Sequence, residues 1–149
     1  MNKFTKTISN FALFAVVVGL MLSAVQAFYM FMPMTFWIEY KSVEPMSDFK
    51  VGELPKFVSI VETYRDSNVM FSDVLFCKFT GEEEFDYYVE YKSGSFGKKP
   101  EGIETNQWTF HPAVPLAGEC YCRSSIILQL PFGINRVQKI RGKVFEVTE

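Results

Sequence analysis

From Phe11 to Trp37 the chain carries no charged side chain, and Ser23, Gln26 and Thr35 are its only clearly polar residues there. No other feature constrains the fold as strongly. Phe11 to Met32 is 22 residues, which reaches ~33 Å at helical rise and spans a hydrocarbon core of about 30 Å. In lipid every backbone amide must find its partner within the segment, so the run is read as a helix and not an isolated strand. Pro33 falls where that helix would end. Phe28, Tyr29, Phe31, Phe36, Trp37 and Tyr40 then read as an aromatic belt at the membrane interface.

Lys3 and Lys6 precede the span with no acid beside them, and Glu39, Lys41 and Glu44 follow it. By the positive-inside rule the N-terminus is cytoplasmic and the rest of the chain lies outside. This divides the chain into a cytoplasmic N-terminus (1–10), a transmembrane helix with interfacial segment (11–36) and an extracytoplasmic domain (37–149). The rival reading is a signal peptide, with Phe11 to Ser23 as its apolar region and cleavage after Ala27. A retained anchor is favoured, because cleavage would leave Phe28-Tyr29-Met30-Phe31-Met32 as a very apolar mature terminus.

Beyond the span the hydrophobic pattern changes from continuous to alternating. Phe85, Tyr87, Val89 and Tyr91 share one face, with Asp86, Tyr88, Glu90 and Lys92 on the other, as a half-buried strand requires. Val69 to Phe79 aligns Val69, Phe71, Leu75, Cys77 and Phe79, interrupted by Asp73. Glu119 to Leu130 aligns Cys120, Cys122, Ser124, Ile126, Leu128 and Leu130. Further strands are expected at Trp37–Val43, Lys56–Arg65, Gln107–His111 and Val137–Val147, with a bulge or bend at Gly142. Turn chemistry separates them at Gly52–Pro55, Asp66–Asn68, Ser93–Gly97 and Pro115–Gly118, and a short linker is expected around Ser42–Asp48. About seven short strands with turns every ~8–12 residues describe a mainly β chain, an antiparallel β-sandwich. An aromatic content of 17% suits strands as well.

Phe76-Cys77 and the later Gly118-Glu119-Cys120-Tyr121-Cys122 resemble the paired core strands of immunoglobulin-like domains, although Trp108 does not stand at the usual place between them. Phe36-Trp37-Ile38-Glu39-Tyr40-Lys41 after the anchor and Pro131-Phe132-Gly133-Ile134 before the last strand resemble small membrane-anchored proteins of marine tailed phages. The first resemblance implies an immunoglobulin-like sandwich. The second implies action on the envelope of an infected cell, such as superinfection exclusion, and carries no known site to transfer.

Three sets of residues are candidates for chemistry or contact. Cys77, Cys120 and Cys122 are an odd number for an oxidising compartment, and Cys120 and Cys122 share a strand face from which both look towards Cys77 across a core. One disulfide, Cys77 with Cys120 or Cys122, is favoured over free thiols. It is also favoured over a zinc set with His111, since Cys-x-Cys lacks the knuckle spacing. Ala15, Gly19, Ser23 and Ala27 recur every four residues and line one helix face; small residues of this kind are common in any span, and the alternative is close approach of two spans in a homo-oligomer. Arg136, Lys139, Arg141 and Lys143 form a basic patch near the C-terminus, with Lys139, Arg141 and Lys143 on one strand face; a solvent-facing edge strand is the favoured reading, and contact with phosphate headgroups or an anionic polymer is the alternative. Glu82-Glu83-Glu84 with Asp86 is read as a solvated acidic loop.

Several classes find no support. A net charge of −2 and a sequence pI of about 5.5 give no nucleic-acid footprint. A single His removes most His-dependent catalysis and two-histidine copper sites, and no cofactor is implied. The chain therefore reads as a non-enzymatic binding module held at the bilayer. Its loops Thr80–Glu84, Ser93–Lys99 and Pro112–Gly118 are expected to contact a protein or envelope partner. The alternatives are a holin-like membrane-permeabilising or lysis-timing protein, and a secreted or periplasmic virion subunit if cleavage follows Ala27.

Overall fold

The computed structural model describes residues 3–92 and 95–149. One helix, α1, runs from Lys3 to Phe31 and so begins well before the charge-free run. Its stretch Phe11–Phe31 is long and apolar enough to cross a membrane, and none of it is buried against protein. It has no polar face, the pattern of a helix meant for an apolar solvent on all sides.

The other unit, described by itself, starts at Pro33. A 3-10 turn at Met34–Phe36 leads into nine strands: β1 (Ile38–Pro45), β2 (Phe49–Lys50), β3 (Lys56–Thr63), β4 (Ser67–Phe79), β5 (Asp86–Lys92), β6 (Gly97–Lys99), β7 (Gly102–Thr109), β8 (Gly118–Gln129) and β9 (Asn135–Thr148). They form two packed sheets. One is β1-β3-β7; the other is β2-β9-β8-β4-β5, with β6 also paired to β4. The chain is thus a mainly β sandwich, as its alternation implies. All pairings are antiparallel except the two-residue β2–β9 ladder, which is parallel.

Long apolar alternation explains the longest strands. Val69, Leu75 and Cys77 of β4 and Cys120, Cys122, Ile126 and Leu128 of β8 all point inward and are at most 2% exposed. Burial of each large side chain stabilises by about 1.5–3 kcal/mol. At one end Phe57 is surrounded by Phe49, Phe110 and Phe145, with ring centroids 5.5–6.2 Å away. The expected bend at Gly142 is a bulge, because Tyr121 pairs with Val144 while Arg123 pairs with Arg141. Glycine suits the close approach there: a Cβ would lie 3.0 Å from the Val43 carbonyl oxygen of β1, so that backbone would have to give by a few tenths of an ångström.

Four expectations change. Strands among the described residues number nine, because β2 and β6 are too short to show a period. β7 begins at Gly102 and not Gln107. Ser42–Asp48 is no linker, since β1 extends to Pro45 and pairs along its length with β3. Tyr40 is not an interfacial residue; it is 5% exposed, inside the sandwich. Ser93 and Gly94 of the expected Ser93–Gly97 turn lie outside the described residues.

Candidate functional site

The second sheet has a divided edge. β5 runs alongside β4 as far as the Ser72–Lys92 pair, and β6 takes up the same edge of β4 only from the Val69–Gly97 pair. Between them, at Met70 and Phe71, the sheet opens. The facing edge of the other sheet is β7, which pairs with β3 alone. These two edges border a cleft of about 390 Å³ between the sheets. Phe71, Tyr91 and Trp108 supply apolar walls, Tyr40 and Ser59 reach it from β1 and β3, and Asn106, Gln107 and Lys99 line it from β7 and β6.

Asp73 is the chemically distinctive member. Strand alternation turns it inward between Phe71 and Leu75, where it is 3% exposed. Ser124 donates its hydroxyl to the carboxylate, yet burial outweighs that bond and raises the Asp73 pKa to about 6. Its Oδ1 has no hydrogen-bond partner. Two further buried atoms along the cleft share that condition, the Nδ2 of Asn106 and the Nε1 of Trp108. An unsatisfied buried polar atom costs about 1–3 kcal/mol. Three at one cleft, an acceptor and two donors from strands of opposite sheets, are a local debt that the sandwich carries without structural return.

Behind the cleft lies a polar relay. Tyr40 shares a hydrogen bond with Ser124, and burial, reinforced by the nearby Asp73 carboxylate, holds its phenol protonated far above the ordinary value. The Cys122 sulfur is 3.5 Å from the Ser124 Oγ, and burial pushes its thiol up to about 12. Cys122 is therefore an unreactive thiol. At the mouth, Lys99 is ion-paired with Glu104 and lies 5.5 Å from the Phe71 ring.

The residues singled out from the sequence are distributed differently. Cys77 and Cys120 form a disulfide, which withdraws both from any zinc set. They pair directly across β4 and β8 within one sheet, and so do not bridge the core as in immunoglobulin-like domains. Ala15, Gly19 and Ser23 are exposed along α1, Ala27 is half-buried, and the Ser23 hydroxyl donates to the Gly19 carbonyl at 2.9 Å.

The four basic residues do not form one patch. Lys139 and Arg141 share the outer face of β9. The Gly142 bulge diverts Lys143 into an ion pair with Glu44 at 2.8 Å, and Arg136 has the opposite strand parity. Among the expected contact loops, Glu82 accepts the Phe79 amide at 2.9 Å and so closes its own turn. Ala113 accepts the Tyr88 hydroxyl at 2.6 Å, which ties down the loop after β7. Sequence reading missed the cleft itself, though Asp73 interrupting an inward apolar row is the signal that marks it.

No family model and no curated protein matches this chain. Among solved structures it is similar to the C-terminal domain of wzt, with a TM-score of 0.53, 11% identity, and coverage of 75% of this chain and 74% of that one. At that identity the likeness concerns architecture alone, and the architecture it supports is an immunoglobulin-like β-sandwich.

Proposed function

We propose that this protein is a membrane-anchored binding module that works at a cell envelope. α1 is its anchor, and the sandwich, outside the membrane, takes a small neutral polar ligand in the inter-sheet cleft. One observation carries the reading: Asp73 Oδ1, Asn106 Nδ2 and Trp108 Nε1 are buried, unsatisfied and ranged along one aromatic-walled opening. A ligand with a donor for the carboxylate, acceptors for the amide and indole, and an apolar flank for Phe71 and Tyr91 would satisfy all three at once. Binding sites are commonly apolar concavities with a few such polar groups. The lysine-first flank of α1 supports an outward sandwich by the positive-inside rule.

The test uses the full chain with Trp37→Phe in phosphatidylcholine nanodiscs, leaving Trp108 as the sole fluorescent indole. It is titrated with glucose, N-acetylglucosamine, myo-inositol and glycinamide. A saturable emission change with at least one probe, weakened tenfold or more by Asn106→Ala, is expected. No response to any of the four, or one indifferent to Asn106→Ala, overturns the reading. For topology, protease added outside intact cells should remove a C-terminal tag.

A further inference from the structure

The outer face of the six-stranded sheet, turned away from the cleft, carries a second and independent arrangement. Phe76 of β4 and Tyr121 of β8 are stacked, 5.2 Å apart and 9° from parallel. The guanidinium of Arg123 lies 4.5 Å from the centre of the Phe76 ring, and that of Arg141 lies 3.9 Å from the centre of Tyr121. Arg123 and Arg141 are also direct register partners on β8 and β9.

Like charges directly opposite each other on antiparallel strands repel. A folded protein usually places a carboxylate between them, and here there is none: neither guanidinium has an ion pair among the described residues. Lys139, opposite Ser125 one step further along the same face, also lacks one. The acids on this face are placed elsewhere. Glu119 is held by Lys78 at 3.0 Å, Glu146 is its register partner beyond the bulge, and Glu90 accepts the Ser72 hydroxyl. Each guanidinium lies over an aromatic ring, and a guanidinium held by cation–π attraction keeps N–H donors for a further partner.

We infer that Arg123 and Arg141, seated on the Phe76–Tyr121 stack, form a binding site for a phosphate group. A guanidinium fork fills both oxygens of a carboxylate, whereas a phosphate monoester offers a third terminal oxygen and a second charge and so accepts a fork from each arginine. The ligand supplies the counter-charge that the strand pair lacks.

Such a group could come from a soluble phosphate ester or from a lipid headgroup, and one experiment separates them. The full chain in phosphatidylcholine nanodiscs is titrated with glycerol 3-phosphate, and with acetate at matched ionic strength, while arginine Nε–Hε signals are followed by NMR. The expected result is a saturable shift of the Arg123 and Arg141 signals, with a midpoint at least tenfold lower for the phosphate ester. Arg141→Gln should abolish the shift at Arg123. Arg141→Lys, which keeps the charge but loses the fork, should weaken binding tenfold or more. If those signals move instead when phosphatidylglycerol replaces part of the phosphatidylcholine, the site stands and its source is a headgroup. Equal midpoints for acetate and glycerol 3-phosphate, full retention in Arg141→Lys, or no saturable shift with either ligand or lipid overturns the inference. Asp73→Asn should leave this titration unchanged.

Discussion

Replacing Asp73 with Asn is the sharpest test of the cleft, because stability and binding should move in opposite directions. The Asp73 pKa is raised from 3.8 to about 6 by burial. The native state therefore holds its proton more tightly than the unfolded chain. Between pH 4 and 6 the native state binds more protons than the unfolded one, so stability falls as pH rises through that window and levels off above it. At ~1.4 kcal/mol for each tenfold change in proton affinity, the loss is about 3 kcal/mol. Asparagine keeps an acceptor for the Ser124 hydroxyl and has no charge to desolvate. At pH 7.5 Asp73→Asn should then be more stable than the parent by up to about 3 kcal/mol, which for a domain of this size raises the melting temperature by roughly 10 °C. At pH 4 the two should coincide. Near-ultraviolet circular dichroism melts from pH 4 to 8 would show this, and ligand titrations on the same samples should lose their response at pH 7.5. A destabilised variant at pH 7.5, or a stability gap between variant and parent that does not widen from pH 4 to 6, would mean that the carboxylate is a satisfied structural charge and would refute the reasoning.

Other outcomes follow from particular contacts. Alkylation without reductant should leave the native protein unmodified and add one group after unfolding, since Cys122 is fully buried and Cys77–Cys120 is closed; intact mass reads this directly. Converting both Cys77 and Cys120 to Ala reopens a loop with a sequence separation of 43 and should cost about 4 kcal/mol in urea unfolding, on the chain-entropy account. Phe57→Ala empties the centre of the aromatic cluster and should cost about 3–5 kcal/mol in the same assay. Gly118→Ala should disrupt the β4–β8 ladder, because its Cβ would sit 2.8 Å from the Phe79 Cα and closer still to the Lys78 carbonyl oxygen. A loss of at least about 2 kcal/mol is expected.

The elements that alternation dictates were readable in advance: the long charge-free helix, β4, β5, β8 and β9, and the glycine bulge in the last. What escaped was set by pairing. β2 and β6 have two and three residues and exist only because longer neighbours offer an edge. Residues 102–105 of β7 are exposed on both faces, so no period betrays them. Tyr40 follows an apolar span in sequence and sits deep in the sandwich in space, where only a knowledge of the facing sheet could put it. The cysteine pair was expected across the core because register between β4 and β8 is not written in either strand alone. The cleft combines positions from Tyr40 to Trp108 on strands of both sheets, and Asp73 alone carried a local trace of it, as an acid in an apolar row.

The place of β9 has a consequence for how the protein comes into being. The strand nearest the C-terminus, Asn135–Thr148, lies inside the six-stranded sheet, between β2 and β8. Until those residues have been synthesised, β8 presents a long unpaired edge and Phe49 and Phe57 lack the Phe145 ring they close upon. The sandwich therefore cannot be completed piecemeal from its first strands as the chain emerges, in contrast to domains that fold from the N-terminal side during synthesis.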